Sequence, residues 1–95
     1  MLEIRPSCEN CNKSLPNTSD NAMICTFECT YCSDCVTNIL YNVCQNCGGG
    51  FEKRPTRPKE YIEKFPASKK LIYNPIKASF KKLLMQFKSV NPRKR

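Results

Sequence analysis

A chain of 95 residues with eight cysteines, no histidine and no tryptophan has room for one small domain and an appendage. That inventory excludes a large apolar core and any chemistry that needs an imidazole base. The formal charge of +8 is divided unevenly: positions 1–50 set Arg5 and Lys13 against Glu3, Glu9, Asp20, Glu28 and Asp34, and the basic surplus lies in positions 51–95.

Residues 1–6 have no apolar run and no small-residue cleavage site, and no later stretch is long and apolar enough to span a bilayer. The expectation is a cytoplasmic protein without an integral membrane segment, in a compartment where thiols stay reduced. All eight cysteines lie between Cys8 and Cys47. A unit of that size buries too little apolar surface to offset the entropy of ordering its backbone, so disulfides or metal must make up the difference. Reduced cysteines in close pairs are metal ligands first, and zinc is the expected ion.

The ligand string reads Cys8-x2-Cys11-x13-Cys25-x3-Cys29-x2-Cys32-x2-Cys35-x8-Cys44-x2-Cys47. A two-residue spacer lets a tight turn aim both sulfurs at one point. Cys8-Glu9-Asn10-Cys11 and Cys44-Gln45-Asn46-Cys47-Gly48-Gly49 read as such knuckles, with Asn and Gly supplying the turn conformations. Eight cysteines make two closed four-sulfur sites with none left over, which marks structural rather than catalytic zinc. Loading both sites takes positions 1–50 from a net charge of −3 to −7 and the whole chain from +8 to +4. Spacing alone leaves two groupings open. One is sequential, Cys8, Cys11, Cys25 and Cys29 then Cys32, Cys35, Cys44 and Cys47. The other is interleaved, Cys8, Cys11, Cys32 and Cys35 then Cys25, Cys29, Cys44 and Cys47. An iron–sulfur protein is the minor alternative, because Cys29-x2-Cys32-x2-Cys35 resembles the start of a bacterial ferredoxin run, but position 39 is Ile where that run needs its fourth Cys. Between Cys35 and Cys44, Val36, Ile39, Leu40 and Val43 recur at helical spacing.

The order and spacing of the cysteines resemble the RING cross-brace, in which a long loop separates pairs one and two and a short helix separates pairs three and four; the resemblance implies that loop over 12–24 and that helix over 36–41, where the helical spacing fits. That resemblance implies the interleaved grouping, with Cys8, Cys11, Cys32 and Cys35 in site 1 and Cys25, Cys29, Cys44 and Cys47 in site 2. A run of further anchors is similar to the bacterial domain-of-unknown-function 1272 family: residues 1–6, Ile24-Cys25, Phe27-Glu28-Cys29-Thr30, Cys47-Gly48-Gly49, Arg54-Pro55-Thr56-Arg57-Pro58 and Phe65-Pro66-Ala67-Ser68. It implies a small cysteine-rich protein and no assigned activity.

A ubiquitin-ligase role is not expected. Glu9 and Asn10 stand where a ligase RING has an aliphatic contact, Gln45 where it has Pro, and Gly48, Gly49 and Gly50 where a basic residue follows the eighth cysteine. No P-loop is present and every cysteine has a structural task, so no enzymatic activity is expected.

In the basic half, residues 51–59 are too proline-rich for a central strand or a helix and read as an extended arm. Arg54 and Arg57 are three residues apart, one turn of polyproline II, so the arm could lie along phosphates or run back over the acidic head. Residues 59–65 could form two helical turns that Pro66 would end. For the last segment, Asn74 is the expected N-cap and Pro75 the first helical residue. Ile76, Phe80, Leu83, Leu84, Phe87 and Val90 form one apolar stripe flanked by Lys77, Lys81, Lys82 and Lys88, and Arg93-Lys94-Arg95 is expected to fray. The stripe needs a cover, such as the chain's own head, a second copy, a membrane surface or a partner's groove.

The expected architecture is a small metal-dominated α+β fold. A RING-like zinc head occupies 1–50, a proline-rich basic arm with a short helix 51–73, and a basic helical extension 74–95. Its expected role is binding of a protein partner or self-association, with nucleic acid, held by the basic half, as the alternative.

Overall fold

The computed structural model describes residues 1–95 as a small α+β molecule measuring 42 × 25 × 19 Å. Its sheet is short because the cysteine turns leave little chain between them. Strand β1 (Ala22–Ile24) pairs antiparallel with β2 (Thr30–Cys32), Met23 facing Tyr31. The hairpin turn is Cys25 to Cys29, where Glu28 takes the left-handed conformation (φ 64°) and its N–H bonds back to the Cys25 carbonyl. Strand β3 (Glu52–Lys53) adds to the other edge of β1, giving the order β2-β1-β3. The proline-rich arm therefore does contribute a strand. It fits because the strand is only two residues long and ends before Pro55.

Helix α1 (Ser33–Cys35) starts directly after β2 and continues as a wider π-type turn over Val36–Leu40. It thus begins three residues before the expected start. Tyr41 and Asn42 stop it, both left-handed (φ 49° and 60°). Val36, Leu40 and Val43 are buried as the periodicity predicts, but Ile39 is exposed, because the wider turn rotates it off the inner face. These residues join Leu15, Ala22, Tyr31, Phe51 and six of the cysteines in one core. Tyr31 meets Phe51 edge-to-face at 5.6 Å.

The basic half wraps this head rather than leaving it. Phe51 and Arg54 are buried, so the head's interior extends past position 50. Helix α2 (Lys59–Lys64) follows Pro58 and is exposed. From there the chain runs alongside the N-terminus: the Ser68 N–H bonds to the Ile4 carbonyl and the Asn74 N–H to the Glu9 carbonyl.

Helix α3 covers only Phe80–Phe87. Asn74 is not its N-cap and Pro75 not its first residue, because residues 74–77 are bonded to the head instead. The Ile76 N–H donates to Asn10 Oδ1, the Lys77 N–H donates to Gln45 Oε1, and the Asn74 carbonyl accepts from Gln45 Nε2. The Asn74 carbonyl, which would accept the first intrahelical bond of a helix starting at Pro75, is taken by Gln45. The stripe itself behaves as its spacing demands: Phe80 is buried in the core, and Ile76, Leu83, Leu84 and Phe87 pack against it. The C-terminus does not fray. Asn91 caps a 3-10 turn over Pro92–Lys94, and the Arg95 guanidinium donates to the carbonyls of Asn42, Gly48 and Val90.

Candidate metal centre

The two x2 knuckles are copies of one backbone design. In the first, the Cys8 N–H bonds to the Lys13 carbonyl, the Asn12 N–H to the Cys8 carbonyl, and Asn12 is left-handed (φ 64°). In the second, the Cys44 N–H bonds to the Gly49 carbonyl, the Gly48 N–H to the Cys44 carbonyl, and Gly48 is left-handed (φ 78°). Each loop turns sharply after its second cysteine, and that turn aims the sulfur pair.

The sulfurs of Cys8, Cys11, Cys32 and Cys35 all lie within 4.8 Å of one another. The first knuckle meets the pair at the junction of β2 and α1, with Cys8 Sγ 3.8 Å from Cys35 Sγ and Cys11 Sγ 3.7 Å from Cys32 Sγ. In the second group Cys25, Cys44 and Cys47 meet the same 4.8 Å limit. Cys29 falls outside that mutual limit but close enough to influence the ionisation of both Cys25 and Cys44. The groups join the first cysteine pair to the third and the second to the fourth. All eight expected ligands therefore fall into two clusters that could each hold a metal ion.

The electrostatics fit that use. Hydrogen bonds from the Cys29 and Cys44 thiols hold the Cys25 thiol down to about 3, and the same contacts push Cys44 up. Burial pushes Cys35 up. Thiols packed this closely cannot all ionise unless a cation sits among them. The distances pass a separate test. Zinc–sulfur bonds of about 2.3 Å in a tetrahedron put sulfurs about 3.8 Å apart. Cys8–Cys35 and Cys11–Cys32 match that edge, and both are far beyond the disulfide length of about 2.05 Å.

Polar side chains that the spacing argument passed over brace the clusters. Glu9, inside the first knuckle, is buried, and its carboxylate accepts from the Thr30 N–H and from Arg5 Nη1. Burial pushes its carboxyl up. Gln45, inside the second knuckle, donates to the Tyr31 hydroxyl and bonds residues 74–77. Neither residue forms a bare outward surface at its knuckle. Arg54 is buried with its guanidinium donating to the carbonyls of Arg5, Leu15 and Pro16, and burial pushes its pKa down. Arg57 donates to the carbonyls of Leu2 and Phe65. The two arginines of the arm are thus bound to backbone oxygens, and the head's carboxylates do not pair with them. For the arm a signal was present in the sequence, since Arg-Pro occurs twice there.

A family model described as a protein of unknown function, DUF1272, matches residues 1–57, the span that contains every cysteine and both arm arginines. The chain belongs to the DUF1272 family. An uncharacterized protein of Rhizobium meliloti (strain 1021) is 48% identical to it over 75 residues, covering 79% of this chain and 89% of that protein. No solved structure matches. The DUF1272 match ends at Arg57, so α2, α3 and the C-terminal turn lie outside the part the family model describes.

Proposed function

We propose that this DUF1272 protein is a zinc-dependent binding module with two structural ions in a RING-like cross-brace, and that it is not an enzyme. Cys8, Cys11, Cys32 and Cys35 hold one ion; Cys25, Cys29, Cys44 and Cys47 hold the other. The observation that carries this reading is the pair of sulfur–sulfur distances, 3.8 and 3.7 Å, in the first cluster. They are the spacing expected of four sulfurs around a single ion. A four-iron cube would spread its cysteines over separate corners, beyond a 4.8 Å gathering. With four thiolates per site no position is left for water or substrate, which supports a structural role. The site requires reduced thiols and so fits the cytoplasm.

A ligase role gains no support from the surface. Where a ligase RING has apolar contacts, Glu9 is turned inward and Asn10 and Gln45 bind the chain's own residues 74–77. A protein partner or a second copy is favoured by the apolar groups left outside, Leu71, Tyr73 and Met85. Nucleic acid is the second reading, because both ion pairs of the molecule use Arg5 and no carboxylate holds the lysines between Lys59 and Lys82.

Elemental analysis with an optical spectrum tests the metal. Two zinc ions and no visible absorbance are expected, and a coloured protein would point to iron. A chelator should then collapse the dispersion of the amide NMR spectrum. A salt titration separates the partners, since nucleic-acid affinity falls steeply with salt in proportion to the phosphates neutralised. No binding to DNA or RNA at low salt removes the second reading.

A further inference from the structure

Asn10 Nδ2 lies 3.3 Å from Cys35 Sγ, and Asn46 Nδ2 lies 3.3 Å from Cys29 Sγ. The two contacts are equivalent by position. Each asparagine immediately precedes the second cysteine of an x2 knuckle, and each reaches the second cysteine of the pair that faces that knuckle. From this geometry we infer that Asn10 and Asn46 are positioning residues for the two metal ions, each donating from its carboxamide to a ligand thiolate across the site. The inference rests on the metal reading above.

The donor end of Asn10 is fixed independently, because the Ile76 N–H approaches Oδ1 at 3.1 Å and leaves Nδ2 to face the sulfur. For Asn46 only the nitrogen end can meet a thiolate, which accepts and does not donate. The chemistry explains why such donors are needed. A divalent ion with four thiolates carries a surplus charge of −2, spread over the sulfurs. Elsewhere backbone groups take up part of it: the Phe27 N–H faces Cys25 and the Gly49 N–H faces Cys47, both at 3.4 Å, and the Lys13 N–H faces Cys11. At Cys29 and Cys35 the donor is a side chain. A bond from one pair's knuckle to the opposing pair's sulfur also sets the distance between the pairs, which a turn within one pair cannot do. Asn10 does one thing more: its oxygen carries residue 76, so the first site and the C-terminal segment share one carboxamide.

Asn46 is the cleaner position to test, since it is exposed and its side chain has no second partner. Asn46→Ala removes the donor. Asn46→Asp keeps the shape and sets a carboxylate against the thiolate. Zinc affinity by chelator competition should fall about 10- to 100-fold in Asn46→Ala and further in Asn46→Asp. In the cobalt-substituted protein the sulfur-to-cobalt charge-transfer band should move to longer wavelength, as a sulfur without its donor is more electron-rich. Asn10→Ala should show the same band shift, and Lys82→Ala neither effect. If wild-type protein binds two ions while Asn46→Asp keeps wild-type affinity and an unmoved band, the positioning role is wrong and the metal reading stands. If wild-type protein binds no metal, both fall.

Discussion

At the scale of single residues, stability is concentrated in groups whose partners cannot be replaced by water. Cys32 is buried within four gathered sulfurs, and a structural zinc site contributes about 10–16 kcal/mol near neutral pH, more than the whole stability of a typical domain. Cys32→Ser is expected to unfold the head, while Lys82→Ala, on an exposed lysine without a partner, should leave it intact; circular dichroism and metal content of the two variants check this. Arg54 presents a different balance. Burying a cation without a carboxylate is unfavourable, yet its guanidinium is the donor for three carbonyls. Charged hydrogen bonds outweigh that cost here, since removing the donor leaves several buried oxygens unpaired at about 1–3 kcal/mol each. Arg54→Met should therefore destabilise the zinc-loaded protein by about 2–4 kcal/mol despite restoring apolar volume, read from the denaturant midpoint. A neutral or stabilising result would mean that water reaches those carbonyls.

Among elements, the second knuckle and α3 form the tightest junction. A Cβ built on Gly48 would stand 2.9 Å from Phe87 Cε2, and its φ of 78° is unfavourable for any L side chain. Gly48→Ala thus combines backbone strain of about 1–2 kcal/mol with a collision against an aromatic ring. Thermal melts of a double-mutant cycle separate the two: in a Phe87→Ala background the collision disappears and only the backbone part of the cost remains. The elements also show where sequence reasoning reaches and where it stops. The knuckles, the helix after Cys35 and the apolar stripe from Phe80 to Phe87 were legible because each is a local pattern, a spacing or a periodicity within a dozen residues. The start of α3 was not. Asn74-Pro75 is a sound local helix signal, and it loses to hydrogen bonds from Asn10 and Gln45, which are distant in sequence. Strand β3, the buried Arg54 and the pinned Arg95 failed to show for the same reason, since their partners lie dozens of positions away. In the candidate site, the eight sulfurs were legible from spacing and the asparagines beside them were not, because a turn needs asparagine for its own conformation and hides a second role.

For the molecule as a whole, the C-terminal segment acts as a clasp over the cysteine-rich head. Phe80 lies in the core and Arg95 holds the loops around Asn42 and Gly48. Phe80→Ala should cost about 3–5 kcal/mol in the denaturant midpoint while metal content stays unchanged, because the last candidate ligand is Cys47 and Phe80 lies far beyond it in the chain. On the proposed metal reading, loading sets the charge of the whole chain. At neutral pH a thiol with a pKa near 8.5 is largely protonated, so each ion that binds four thiols must expel nearly four protons. Two ions bring in four positive charges and drive off about eight protons, so the chain falls from +8 toward +4 as it loads. The lysine-rich clasp would then lie on a more acidic head and be held more strongly in the loaded protein than in the metal-free one. Titrating zinc into reduced, metal-free protein in unbuffered solution should release close to four protons per ion, with two equal steps or one step ending at two ions. Release of clearly fewer than four protons per ion from the unfolded, metal-free chain would show that a site takes fewer than four thiols.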